Sequence, residues 1–306
     1  MTIQIVLLFI SLLILPGYLL FNLWRGREDS TFLWLLRVGF TGAFMVYLFM
    51  AGPWSWISAY LRYVWLALTV VAAVVSYLQL EERPFFASDG RGRWLGLANY
   101  GFTLLVALVL LGLVIRGHVY EDQPVRLAIP FQEGRYVVGQ GGNSLVLNYA
   151  RNSRSQQFAV DILQLNRFGA RARGIYPSNP ERYVIFGQTL HSPCDGTVTA
   201  AVDGLPDLEP PERDPENPAG NHIVISCQNV DLLMAHMQNG SVAVESGATV
   251  TTGQLVGRVG NSGNTTEPHL HIHAVAGGSS SVFEGDAVPL LLGGKFPTRN
   301  TVLVGD

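Results

Sequence analysis

Four apolar stretches dominate the first 115 residues, at about 3–24, 32–52, 56–79 and 95–115. Each approaches the ~20 residues that an α-helix needs to cross a hydrocarbon core of about 30 Å. Successive stretches are apolar all round rather than along one face, which argues against a bundle in water and for membrane helices. The twelve charges of this region mostly fall between the stretches: Arg25, Arg27, Glu28 and Asp29 in one cluster, Glu81, Glu82, Arg83, Asp89, Arg91 and Arg93 in another. Arg37 and Arg62 lie inside stretches and are placed to snorkel toward an interface. Trp24, Trp34, Trp54, Trp56 and Trp94 sit near stretch ends, where indole rings favour the membrane–water boundary.

Arginine placement then sets an orientation. The positive-inside rule puts the 25–30 and 80–94 loops in the cytoplasm, and with four spans both termini lie outside. The N-terminal Met1-Thr2-Ile3-Gln4-Ile5 lacks the basic region of a signal peptide, so the first stretch reads as an anchor.

The remainder, 116–306, follows another regime. It carries 13 basic and 18 acidic groups, all seven histidines and both cysteines. It has no long apolar run. Short β-type runs recur at Tyr183–Phe186, Thr197–Val202, His222–Cys227, Leu232–His236, Leu255–Val259 and His269–Val275, separated by Gly, Asn, Pro and Asp. That is the pattern of an all-β domain with tight turns. The fold expected is an α-helical four-span membrane region plus an all-β C-terminal domain with an antiparallel sheet core. Its divisions are 1–115 for the helices, 116–136 for a linker, 137–290 for the β domain and 291–306 for a tail. The Pro- and acid-rich segment 203–220 reads as an exposed, mobile loop between two strands. Cys194 and Cys227 flank it. Outside the cytoplasm a disulfide between them is permitted, and closing a loop of that length is worth roughly 3–4 kcal/mol. A net charge of −3 over 306 residues argues against a nucleic-acid partner.

The strongest local signal is Pro268-His269-Leu270-His271-Ile272-His273. Residues two apart on a strand share a face, so His269, His271 and His273 form a row, and three imidazoles on one face point to a metal. The glycine-rich Gly260-Asn261-Ser262-Gly263-Asn264 precedes the row. His236 ends another apolar run, and Asp161 is an acid inside the hydrophobic run 158–162. A buried carboxylate is costly unless it is paired or metal-bound.

Over about residues 138–275 these motifs resemble the lysostaphin/LytM-type zinc endopeptidases of bacterial cell walls. The resemblance rests on Asp161, on Ser192-Pro193-Cys194-Asp195-Gly196, on Gly220-Asn221-His222 and on Ala235-His236. It extends through Gly247, Val250 and Gly253-Gln254 to Gly260–His271. It implies a compact antiparallel β fold with an open groove. It implies Asp161 and His271 as zinc ligands, with His236 and His269 assisting the reacting water and the transition state. It also implies zinc as cofactor, peptidoglycan peptides as substrate and a bacterial cytoplasmic membrane whose C-terminal domain lies outside. One departure stands out. The family's third ligand is a histidine upstream of the aspartate. In the branch with Asn-x-His before Gln-x-Phe/Tyr-Ala-x-Asp, that position is Ala150 here, after Asn148-Tyr149; in the common His-x-x-x-Asp form it is Gln157. The alternative to a zinc peptidase is therefore a non-catalytic relative that binds peptidoglycan or regulates a wall hydrolase.

Other readings are bland. His118, His191 and His222 are assigned solvated or structural roles, and Arg167, Arg171 and Arg173 a solvated basic face. A biotinyl or lipoyl carrier domain would need a lysine at a hairpin tip, and the only lysine is Lys295. A transporter role is weak, because the spans lack paired intramembrane charges and broken helices.

Overall fold

In the computed structural model, residues 2–26, 28–80, 83–86, 91–277 and 281–305 are described. The chain divides into two compact units, Met1–Trp54 with Tyr60–Ile115, and Ser55–Ala59 with Arg116–Asp306.

The first unit contains four helices long and apolar enough to cross a membrane: α1 (Ile3–Arg25), α2 (Thr31–Ala51), α3 (Leu61–Leu78) and α4 (Trp94–Arg116). A π turn at Ile10–Ile14 interrupts α1 just before Pro16, where the missing proline N–H leaves a carbonyl unmatched. Gly26 ends α1 at φ 52°, a left-handed conformation that glycine adopts without strain. Ser30 caps α2 by accepting the Leu33 N–H. Two inside positions differ from the snorkelling expectation. Arg37 pairs with Glu28, both buried, and the Arg62 guanidinium lies 4.9 Å from the ring centres of both Phe49 and Tyr63. A partner within reach is preferred to the long route to water. The third helix starts at Leu61 rather than 56, because Trp54–Trp56 forms a 3-10 turn and the chain that follows folds with the β unit. Arg27, Glu81, Glu82 and Asp89, and the side chains of Arg91 and Arg93, lie outside the described residues.

The second unit is built on a nine-stranded sheet. Its strands are β1 (Arg135–Gln140), β2 (Val160–Gln164), β3 (Gly196–Val202), β4 (Asn221–Cys227), β5 (Val230–Met237), β6 (Thr249–Val250), β7 (Leu270–Ala276), β8 (Ala287–Val288) and β9 (Val302–Val304). The spatial order is β9-β1-β2-β7-β5-β4-β3-β6, with β8 also on β7. All of its pairings are antiparallel. Chain on both flanks of 137–290 takes part. Val125–Leu127 pairs in parallel with Leu290–Leu292, and β9 forms an edge of the sheet.

Side-chain alternation decides which face carries the site. Val160 and Ile162 of β2 and Leu270, Ile272 and Ala274 of β7 enter the main core with Ile223, Ile225, Leu232 and Met234. The intervening Asp161, His271 and His273 are thereby delivered to the other face. A disulfide joins Cys194, just before β3, to Cys227 at the end of β4. The 203–220 segment is largely exposed, as its composition suggests, and is anchored at several positions. Asp207 accepts the backbone N–H groups of Asn261 and Asn239, and Asp203 accepts those of Gly240 and Val242. Asn221 closes both of its amide groups on Leu205. Asp203 and Asp207 thus serve as acceptors for backbone N–H groups of neighbouring loops.

Candidate metal centre

Strand register assembles the site. On central β7, His271 lies opposite Asp161 of β2 on one side and Ala235 of β5 on the other. His236 follows Ala235 at φ 61°, where a left-handed backbone interrupts β5 pairing. A non-glycine residue held there stores strain that the surroundings must offset. The His236 N–H reaches the Ala219 carbonyl and its own carbonyl accepts from Gly260. Gly220, at φ 59°, is needed beside it because a Cβ there would lie 2.3 Å from the Ser262 carbonyl oxygen.

The hydrogen bonds around the rings fix which nitrogens are free. His236 Nδ1 lies 2.9 Å from the Ser262 carbonyl, and His269 Nδ1 lies 2.8 Å from the Glu267 carbonyl. A carbonyl only accepts, so both Nδ1 atoms carry the proton and both Nε2 lone pairs are left for the site. His269 Nε2 is buried and has no hydrogen-bond partner among the described residues; it sits 3.5 Å from Asp161 Oδ1. His273 Nε2 donates to the Val282 carbonyl at 3.1 Å, so its Nδ1 accepts from His271 Nε2 at 3.0 Å. That leaves His271 Nδ1 facing Asp161 Oδ1 at 2.8 Å. A proton or a metal ion must lie between these two atoms.

The centre is therefore lined by acceptors: one carboxylate and the inward nitrogens of three imidazoles. Ligand atoms of His236, His269 and His271 lie within 4.8 Å of one another. Two ligands on a tetrahedral zinc with bonds of about 2.0–2.1 Å are about 3.3 Å apart. The Asp161–His271 and Asp161–His269 separations, 2.8 and 3.5 Å, bracket that edge. His273 acts as the outer partner that fixes the tautomer of His271, as outer partners of metal-ligating histidines do.

The carboxylate and the imidazoles shift one another. Burial works to raise the Asp161 pKa, but neighbouring His269 and His271 outweigh it and hold the carboxyl below its ordinary range. Burial lowers His236 well below its usual value, and its imidazole neighbours lower it further. His269 is raised, because the Asp161 charge outweighs its burial. His273 is pushed down to about 3, chiefly by burial.

The structure brings together Asp161, His236, His269 and His271. Ala150 is buried on the 3-10 turn Tyr149–Asn152, which Asn148 caps by accepting the Ala150 N–H. The Asn148 amide also donates to the Gln157 and Ala159 carbonyls, fastening this turn to the start of β2. Sequence reasoning passed over Tyr149, a largely exposed residue whose phenol is pushed up chiefly by the charge of neighbouring Asp161. Its position next to Ala150 was the available signal. His191 is buried, its pKa lowered by burial, and His222 donates to the Gly220 carbonyl at 2.7 Å; both remain structural. Arg171 departs from the solvated-face reading. It is 1% exposed and pairs with Glu267 at 2.6 Å.

Residues 184–282 match the model of Peptidase family M23. No curated protein matches the chain. Among solved structures, the lysostaphin catalytic domain of Staphylococcus simulans is 19% identical, with 51% of this chain and 85% of that one covered and a TM-score of 0.28. A zinc-containing peptidase from Vibrio cholerae is 20% identical, with 39% and 46% covered and a TM-score of 0.25. The SpoIIQ–SpoIIIAH pore-forming complex is 17% identical, with 42% and 59% covered and a TM-score of 0.25. The chain thus spans 59% of the length of the SpoIIQ–SpoIIIAH chain it matches and 46% of the Vibrio peptidase. Within the β domain, residues 184–282 are thus similar to Peptidase family M23, in keeping with the lysostaphin/LytM type that the aspartate and histidine motifs resemble.

Proposed function

We propose that this protein is a membrane-anchored zinc endopeptidase of the bacterial cell envelope, acting on peptide bonds of peptidoglycan. The observation that carries the reading is the acceptor-lined centre. One carboxylate and three inward imidazole nitrogens suit a divalent cation, and the donor set of nitrogen and carboxylate oxygen suits zinc. Asp161 and His271 would hold the ion. Zinc supplies Lewis acidity toward a peptide carbonyl and brings the pKa of water in its shell toward ~7.

The chain's own residues do the rest. His273 keeps the His271 proton on Nε2. His236, held neutral by burial, takes a proton at Nε2 from the attacking water. His269 Nε2 holds the opposite side of the reacting group. Tyr149, with its proton retained beside Asp161, donates to developing negative charge. The four apolar helices serve as the anchor. The arginine bias of the loops and the Cys194–Cys227 disulfide both favour placing the β domain outside the cytoplasm.

Ala150 favours a second reading, a non-catalytic relative that keeps the groove to bind peptidoglycan. Cleavage of purified peptidoglycan by the full chain in detergent micelles separates the two. Cleavage that stops with a chelator and in His271→Ala supports the enzyme. Pull-down of peptidoglycan without cleavage, with cleavage gained only by Ala150→His, supports the binder.

A further inference from the structure

The segment Ser55–Ala59 joins α2 to α3 in the chain, yet it belongs to the β unit. It is fastened there by backbone. The Arg171 N–H donates to the Ser55 carbonyl at 2.9 Å, and the Ala59 N–H donates to the Gly169 carbonyl at 2.7 Å. The Ser58 hydroxyl adds a bond to the Phe168 carbonyl at 2.7 Å. Trp56 lays its indole over the Arg171 guanidinium at 3.7 Å and stacks on Tyr176 with ring centres 5.4 Å apart and planes 12° apart.

Both groups beneath the indole lead to the metal centre. Arg171 donates from Nε to Glu267 at 2.8 Å and pairs again through Nη2 at 2.6 Å. The Tyr176 hydroxyl donates to the Thr266 carbonyl at 2.6 Å. The Glu267 carbonyl, in turn, is what His269 Nδ1 donates to. A guanidinium this buried needs both its carboxylate and an aromatic face, and removing either frees the other to move.

We propose that Ser55–Ala59 is a strap that positions His269, acting from Trp56 through Arg171 and Glu267. The turn 265–268 is then held from behind by chain encoded between two apolar helices, and a fragment beginning at 116 lacks part of its own site. For its effect on turnover the proposal rests on the peptidase reading; for its effect on the loop it does not.

The test uses the full chain in detergent micelles, with Trp56→Ala, Trp56→Phe and Glu267→Gln. Hydrogen–deuterium exchange reads the loop without requiring activity. Trp56→Ala and Glu267→Gln should speed exchange in 264–270 by about tenfold or more while strands β4 and β5 keep their protection. Trp56→Phe, which retains an aromatic face, should restore most of it. In an active protein kcat should fall by about 10–100-fold with KM nearly unchanged, as misplacement of an assisting group does. Unchanged exchange in 264–270 overturns the strap, and so does loosening spread evenly over the sheet. A wild-type chain that cleaves nothing, yet shows the local loosening, overturns the peptidase reading and leaves the strap standing.

Discussion

The two units dispose of their apolar side chains in opposite senses. In the helical unit Phe102, Leu105 and Val109 point outward, 67%, 59% and 55% exposed. In the β unit Ile223, Ile225, Leu232 and Ile272 are wholly buried. One chain is thus fitted to two solvents. An outward apolar surface of this length is what a hydrocarbon layer would cover, whereas the β unit gains its stability from water exclusion and a crosslink. The contrast teaches that exposure has no single meaning along this sequence.

The largest expected effect concerns the polar side of that contrast. His271→Ala removes the imidazole that lies 2.8 Å from Asp161 and should lower peptidoglycan cleavage by about a thousandfold or more, followed by release of soluble fragments. Cleavage within a few-fold of wild type would show that the centre is not where chemistry occurs.

Acid should act on the β unit alone. The folded-state pKa of His273 is about 3, against about 6.5 in an unfolded chain. The unfolded state therefore binds a proton that the folded state does not. The stability this represents is fully present above pH ~6.5 and is lost as pH falls toward 3, by an amount on the order of 5 kcal/mol. The lowered pKa values of Asp161 and His236 act in the same direction, and the raised one of His269 opposes them. A β-unit melting transition that drops between pH 6.5 and 4, while helical ellipticity of the first unit persists, fits. A pH-independent transition does not.

Opening the crosslink should sharpen the same division. Cys194→Ser with Cys227→Ser removes closure of a 33-residue separation and should cost the β unit about 2–5 kcal/mol, read as a lower midpoint in denaturant. The helical unit should be indifferent. A last contrast pairs two surface changes, and its β-unit member is the smallest effect. Leu105→Lys places a charge on an outward helical face and should cost about 2.5–3.5 kcal/mol in a membrane-insertion assay. Leu255→Lys on the β unit, at a residue 47% exposed, should stay within about 0.5 kcal/mol. Equal costs would erase the distinction between the two surfaces.

These contrasts also explain what was legible in the sequence. The helices could be read because their signal is compositional and local. The cluster could be read because strand alternation put His271 and His273 on one face and because Asp161 was anomalous in an apolar run. The partners of Arg171, of Trp56 and of the acids in 203–220 were not legible, and their separation in sequence explains why. Arg171 meets Glu267 across 96 positions, Trp56 meets Arg171 from the other side of two apolar helices, and Asp207 meets Asn261 across 54. Local pattern carries no information at such separations. The helix α3 boundary failed for the same reason: apolar residues at 56–59 serve the β unit.

The central claim is that the acceptor-lined centre holds a metal ion although residue 150 is alanine. Zinc content of the full chain, purified in detergent and dialysed at neutral pH against trace zinc, tests it most directly. The account predicts close to one zinc per chain in the wild type, retained in Ala150→His and lost in His271→Ala. A wild type that holds no zinc while Ala150→His takes up one would contradict it.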